Sequence, residues 1–188
     1  MNKDEKLQIT KEKLLYATEV LMNSMEDPLL VTSREIAAAA DVKPAMINYC
    51  FGSRENLIYQ VFQKQYVSFL QGTDVEKILA SSLPPKEVLK ELHFIVCKCL
   101  LDNFNFTKAI TGFVLFKRDL SKESFSFPYV YKHYHGTKSE QECKLIAYEL
   151  STTMQLMICR KDAMKEDFGI DFSDEKVLRE TINLRVDL

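Results

Sequence analysis

Apolar residues in the first part of the chain recur at helical spacing, in segments that are separated by turn and capping residues. From Thr10 to about Met25 they recur every three or four positions with charged residues between them, which predicts a helix with one buried face. Thr10 is expected to cap this helix. Pro28 is expected to end it, because proline disfavours a helical conformation in the residue before it. A second helix is predicted to follow Thr32, which has the spacing of a capping box with Glu35.

The second and third helices are predicted to be short and to be joined by a tight turn. Asp41 is expected to end the second helix, since aspartate tolerates the left-handed backbone that a tight turn requires. Val42 is expected to pack from the turn into the core. Pro44 stands at the position where proline favours the start of a third helix, Ala45 to Tyr49. Ser53 is expected to cap a fourth, longer helix.

Helical periodicity weakens near the middle of the chain and then returns. Residues 72–85 are predicted to form a linker with one short turn. Helices are then expected at about 86–103 and 107–118, where apolar residues again share one face. The aromatic stretch 121–136, which contains Pro128, is predicted to be irregular.

Two further helices are predicted in the last part of the chain. Ser139 and Glu142 repeat the capping-box spacing and begin a long helix, 139–164, that is apolar on more than one face. Ser173 is expected to cap a last helix, 173–188. No segment alternates apolar and polar residues in the way that is typical of a β-strand, so the predicted fold class is all-α.

Composition narrows the class of protein. Hydrophobic residues make up 46% and charged residues 28% of the 188 residues, the balance of an ordinary globular protein. No apolar run approaches the ~20 residues that cross a bilayer, and the charged N-terminus is unlike a signal peptide. The five cysteines are an odd number without Cys-x-x-Cys spacing, which favours free thiols in a reducing compartment. We therefore expect a cytoplasmic protein with no membrane partner.

Bulk charge does not point to a nucleic acid. The net charge is −2, and residues 1–60 contain seven Lys and Arg against nine Asp and Glu. An interpretation that involves DNA must therefore depend on particular residues at particular positions.

Two short helices joined by about four residues and held between longer helices are typical of a helix-turn-helix. The stretches 32–42 (TSREIAAAADV) and 47–57 (INYCFGSRENL) resemble the head of the TetR family of one-component transcriptional repressors. The specific match covers roughly residues 9–64. The resemblance implies a DNA-binding domain at 1–52, a connecting helix from 53 to about 71, and a helical effector-binding and dimerisation domain at 72–188.

The resemblance also implies which side chains contact DNA. Hydroxyls at the start of the second helix and the cation that begins the fourth helix would bind phosphates, and the start of the third helix would enter the major groove. The residues that match these positions are Thr32, Ser33, Arg34, Lys43, Pro44, Ala45, Met46, Asn48, Tyr49 and Arg54. The chain departs from the family pattern at Asp41, where a turn glycine is usual, and at Lys43, Ala45 and Cys50.

For the remainder of the chain the resemblance implies only an architecture and a regulatory scheme. A homodimer would form through the helices near 139–164 and 173–188 and bind a pseudo-palindromic operator. A small apolar or aromatic effector would release the DNA. Aromatic and methionine side chains are the candidates for its pocket, although core packing explains each of them equally well: Phe94, Phe104, Phe113, Phe116, Tyr129, Tyr148 and Met154.

Enzymatic and metal-binding functions find little support in the sequence. His93 and Cys97 lie one helical turn apart, but a metal site needs three or four converging ligands. No nucleophile with a base and no glycine-rich phosphate loop is recognisable. We expect no catalytic residue, metal or cofactor. The leading hypothesis is a ligand-responsive repressor, and the alternatives are a helical interaction protein that has lost DNA binding and a small-molecule-binding enzyme.

Overall fold

The computed structural model describes residues 2–25, 30–120 and 124–187. Across these residues the chain forms eleven α-helices and no β-strand, which confirms the predicted all-α fold class. None of the described helices combines the length and the apolar character needed to cross a membrane.

The helices fall into two compact units, Met1–Ser68 with Asn103–Lys117 and Phe69–Asp102 with Arg118–Leu188. The helices that begin in the first unit are α1 (Lys3–Ser24), α2 (Ser33–Ala39), α3 (Ala45–Phe51), α4 (Arg54–Gln71) and α7 (Phe104–Phe116). Those of the second unit are α5 (Val75–Leu79), α6 (Pro85–Asp102), α8 (Phe127–His133), α9 (Glu140–Cys159), α10 (Lys161–Phe168) and α11 (Glu175–Asp187).

Helix α7 belongs to the first unit, whereas the sequence placed it within the region 72–188. It contacts α1, and the Phe113 ring lies 5.3 Å from the Tyr59 ring of α4 between their centroids. The helix starts at Phe104, three residues before the predicted start, because Phe106 on its first turn is buried. The predicted linker 72–85 contains the short helix α5.

Helix α1 begins seven residues earlier than predicted. Asn2 caps it, accepting a hydrogen bond of 2.8 Å from the amide of Glu5, and the Asn2 amide donates to the Glu5 carboxylate at 2.9 Å. The prediction that Thr10 caps α1 was wrong, because its hydroxyl donates to the Lys6 carbonyl inside the helix. The helix ends at Ser24, near the predicted end, while Pro28 lies outside the described residues.

The capping box before α2 is confirmed. The Glu35 amide donates to the Thr32 hydroxyl at 3.2 Å, and the Thr32 amide donates to the Glu35 carboxylate at 2.7 Å. The turn that follows depends on Asp41, whose φ of 53° lies in the left-handed region, as predicted. The Val42 amide closes the turn by donating to the Ala37 carbonyl at 2.9 Å.

Helix α3 starts after Pro44, as predicted, but extends to Phe51 rather than Tyr49. Gly52, with a φ of 77°, then ends it, and the Gly52 amide donates to the Asn48 carbonyl at 2.9 Å. Ser53 accepts a hydrogen bond of 3.1 Å from the Asn56 amide, so its predicted role as the cap of α4 is confirmed.

A common core fixes these helices within the first unit. Helix α1 contacts both α2 and α3, which also contact each other. The side chains at the centre are fully buried: Leu14, Ile36, Ile47, Leu57 and Ile58. The apolar positions that define the helices in the sequence are therefore the ones that join them in space.

Three predictions for the second unit were wrong. The stretch around Pro128 forms α8, because proline near the start of a helix lacks only an amide that would have no intrahelical partner. The predicted helix 139–164 ends at Cys159, since Arg160 leaves the helical conformation and α10 has no buried side chain that would continue the apolar face. The prediction that Ser173 caps α11 was wrong, because the Asp174 carboxylate has that role and accepts from the Lys176 amide at 2.8 Å. The Ser173 hydroxyl instead donates to the Asp171 carboxylate.

We predict that Asp41→Gly raises the free energy of unfolding by about 0.5–1 kcal/mol. Glycine adopts the left-handed conformation without the Cβ clash, and this relief exceeds its greater loss of backbone entropy. Ala38→Gly is the matched control, because the same glycine in the exposed interior of α2 should cost about 1 kcal/mol. Urea unfolding followed by circular dichroism measures both changes, and equal destabilisation by the two variants would contradict the account of the turn.

Candidate functional site

We call the predicted DNA-contacting residues of α2, the following turn and α3 the α2–α3 surface. Its exposed members are Thr32, Arg34, Lys43, Pro44, Ala45, Asn48 and Tyr49. Ser33 and Met46 are half-buried. The opposite side of the same two helices supplies Ile36 and Ile47 to the core, so packing holds the exposed side chains in place.

Opposite charges balance on the α2–α3 surface. Arg34 and Lys43 are its exposed cations, and Asp41 lies in the turn between them. Hydrogen bonds from the amide and then the hydroxyl of Thr32 hold the pKa of Glu35 below its usual value, so this carboxylate is charged at neutral pH. Binding of an anion to this surface would thus rely on directed contacts more than on a general positive field.

Thr32 is less available than the sequence suggested. Its hydroxyl accepts from the Glu35 amide and donates to the Glu35 carboxylate at 2.8 Å. At the start of α2, the hydroxyl that could bind a phosphate without breaking the cap is therefore that of Ser33.

Arg54 forms contacts inside the first unit. Its Nε donates to the Val31 carbonyl oxygen, and its terminal nitrogen lies 3.2 Å from the Glu55 carboxylate. The Arg54 side chain is only 20% exposed, and Val31 is buried. This contact connects the segment before α2 to the first turn of α4, a positioning role that the sequence could not indicate because the partner lies 23 residues away.

The seven side chains predicted to line a pocket do not gather within one unit. Phe104, Phe113 and Phe116 lie on α7 of the first unit, whereas Phe94, Tyr129, Tyr148 and Met154 belong to the second. Phe116 is 83% exposed and Met154 only 3%. The Phe94 ring is covered by the Arg179 guanidinium, 3.6 Å from its centroid. Tyr129 is the member of the set that lines the cavity described below.

The second unit contains a cavity of about 350 Å³ lined by α6, α8, α9 and α11. Its apolar and aromatic lining includes Leu89, Tyr129, Val130, Ile146 and Leu150, which also belong to the unit's core cluster or pack against it. The exposed residues His133 and Glu149 line it as well, so the cavity reaches the surface.

Cations line the same cavity in a way that the sequence did not indicate. Lys86, Lys138 and Arg185 line it together with one carboxylate, that of Glu149. Lys86 is paired with Asp187 at 2.9 Å, and the ammonium of Lys138 lies 5.0 Å from the centroid of the Tyr134 ring. No regular spacing relates these residues in the chain, so only the packing of four helices brings them together.

A second polar feature, the His93 cluster, extends from the buried side chains of His93 and Ser126 to the half-buried Ser124 and Ser151 of the second unit. The His93 Nε2 lies 3.1 Å from the Ser126 hydroxyl, which lies 3.1 Å from that of Ser151, and Ser124 follows at 2.8 Å from Ser151. Burial lowers the pKa of His93 to about 4, so the imidazole is neutral at pH 7. Cys97, one turn along α6, is also uncharged, because burial raises the pKa of its thiol to about 12. Among the described residues no group of three or more His, Cys, Asp or Glu side chains is placed to hold a metal ion.

We predict that His93 makes the protein less stable in mild acid. The unfolded chain binds a proton near pH 6.5 and the folded chain only near pH 4, so stability is complete above pH 6.5 and falls as pH drops towards 4. The loss attributable to His93 is about 3 kcal/mol by pH 4.

The measurement is the difference in free energy of unfolding between the wild type and His93→Gln at pH 7 and pH 4.5. Glutamine can still bond to Ser126 but does not titrate, so its variant should lose less stability in acid than the wild type. His135→Gln, at an exposed position, should retain the wild-type dependence. Parallel pH profiles for His93→Gln and the wild type would rule out this role of His93.

No protein-family model matches the chain, and no curated protein matches it. The features that indicate a function are therefore those of the structure itself, the α2–α3 surface and the cavity of the second unit.

Proposed function

We propose that the protein is a transcriptional regulator of the TetR type, a ligand-responsive repressor in which α2 and α3 act as a helix-turn-helix. The observation that carries the proposal is the division of α3 into two sides. Ile47 and Phe51 are buried in the core, while Lys43, Asn48 and Tyr49 are exposed at the turn and along the helix. Recognition of the major groove requires a helix whose buried side is fixed by core packing and whose exposed side carries polar groups.

The dimensions and chemistry of α3 suit the major groove. An α-helix with its side chains is about 10–12 Å in diameter, and the groove is about 12 Å wide. Asn48 can donate to and accept from a base edge, and the Lys43 ammonium can bind a base or a phosphate. The Tyr49 side chain, which is 64% exposed, can bring its hydroxyl to a phosphate.

The second unit supports the homodimer in this proposal. Helix α9 exposes Leu145 and Tyr148 on neighbouring turns and Leu156 about two turns further along the same side, and α11 exposes Leu184. Apolar side chains exposed along one side of a helix favour a protein–protein contact. Two copies related by a two-fold axis would present two α3 helices to a pseudo-palindromic site.

The proposed repressor responds to its effector through a shift between two conformations. Helix α4 runs without interruption past Ser68, where the first unit ends. An effector that binds one conformation of the second unit more tightly would shift the population towards that conformation and away from the DNA-binding one.

A second candidate function is a helical interaction protein that does not bind DNA. Two observations favour it: the charges of the α2–α3 surface balance, and Arg54 is occupied by Val31 and Glu55. This candidate predicts a stable complex with another protein and no sequence-preferring contact with DNA.

The test is selection of bound sequences from a random double-stranded DNA library, followed by affinity measurements at several salt concentrations. We expect an inverted repeat whose half-sites are about 34–36 Å apart. Lys43→Met should weaken binding to the selected DNA by at least about tenfold, because it removes a direct contact in each half-site. Lys64→Met is the matched control, since Lys64 is an exposed cation on α4 well beyond its first turn, and it should bind as the wild type does.

Three outcomes decide between the candidates. An enriched inverted repeat that depends on Lys43 supports the regulator. A single half-site without a repeat contradicts the dimeric part of the proposal. Failure to enrich any sequence, together with a heteromeric complex on sizing of the native protein, favours the interaction protein.

A further inference from the structure

The cavity of the second unit is lined by a guanidinium whose Nε has no hydrogen-bond acceptor among the described residues. The Nε of Arg185, in the last turn of α11, is buried and has no hydrogen-bond partner among the described residues. A buried donor without an acceptor costs roughly 1–3 kcal/mol, and more for a charged group. Such a group is stabilised when an acceptor of opposite charge enters the site.

The other charges of the lining do not supply this acceptor. Lys86 shares Asp187 with Lys90, at 2.9 and 3.1 Å, and Lys90 also pairs with Glu87 at 3.0 Å, so these four charges balance. Lys138 and Arg185 then remain opposite Glu149, which leaves an excess of one positive charge in the lining. Glu142 attracts Lys138, but its carboxylate is bound to the amide and hydroxyl of Ser139 and does not line the cavity.

The remainder of the lining is suited to an apolar or aromatic group. Leu89, Val130 and Leu150 belong to the core cluster of the unit, and Ile146 and the ring of Tyr129 pack against it. The volume of about 350 Å³ lies at the lower end of the range for small-molecule sites. A guanidinium matches a carboxylate geometrically, because its planar fork can donate two parallel hydrogen bonds.

We propose that this cavity binds a small organic monocarboxylate, with the carboxylate on Arg185 and its apolar or aromatic body against Tyr129 and the aliphatic side chains. The excess of one positive charge selects a monoanion, and the apolar lining selects against small inorganic anions. This class narrows the small apolar or aromatic effector expected from the sequence to one that carries a carboxylate. The regulatory meaning of the site rests on the proposed function, whereas its ligand class is decided by binding alone.

The experiment is isothermal titration calorimetry on the full chain without DNA. The probes are 3-phenylpropanoate, octanoate and indole-3-acetate, each paired with its primary amide, which keeps the shape and removes the charge. We expect one-to-one binding of at least one acid, and binding of its amide at least about tenfold weaker, which corresponds to about 1.4 kcal/mol.

Three variants locate the interaction. Arg185→Met keeps the apolar stem and should weaken the acid at least about tenfold without affecting the amide. Glu149→Gln, at an exposed position that does not threaten folding, should tighten the acid because it removes the competing carboxylate. Lys176→Met removes an 82% exposed cation from another part of α11 and should leave binding unchanged.

The proposal is overturned if no acid binds, if acids and amides bind equally, or if Glu149→Gln and Arg185→Met both leave the preference for the acid unchanged. Circular dichroism establishes whether Arg185→Met is folded, and Glu149→Gln decides the matter if it is not. An acid that binds the chain while DNA selection fails would support the site and reject the regulator. Enrichment of a DNA sequence without binding of any acid would support the regulator and reject the carboxylate site.

Discussion

The orientation of α3 depends on one constraint, the left-handed backbone at Asp41. The turn has few residues in which to reverse the chain, and Ile36 and Ile47 must both reach the same core. A right-handed conformation at Asp41 would continue α2 and direct α3 elsewhere. Because the buried side of α3 is fixed in this way, the exposed side that carries Asn48 and Tyr49 is fixed as well. The proposed contacts with DNA depend on this orientation.

The features that the sequence predicted correctly involve residues that lie close together in the chain. The capping boxes of Thr32 with Glu35 and of Ser139 with Glu142 join residues three positions apart, and the turn at Asp41 depends on the preference of one residue. Errors arose where a local signal was ambiguous. The stretch around Pro128 is predicted to be irregular, yet it forms α8, because proline is compatible with the first turn of a helix.

The features that the sequence could not predict join distant parts of the chain. Arg54 has the charge expected of a phosphate contact, yet its Nε bonds to the carbonyl of Val31, and no pattern of side chains marks a backbone acceptor. The cavity likewise combines Lys138 and Arg185, which have no periodic relation. The aromatic and methionine residues predicted to line a pocket lie in two different units. The charged residues that determine the proposed ligand class were not predicted from the sequence.

The most direct test of the central claim is hydrogen–deuterium exchange of the protein with and without a short DNA duplex at low ionic strength, where even non-specific contacts form. The account predicts that DNA slows exchange in peptides that cover the turn and α3, residues 41–51, and leaves α9 and α11 unchanged. Binding of the duplex without slower exchange in 41–51 would contradict it, as would the absence of any binding.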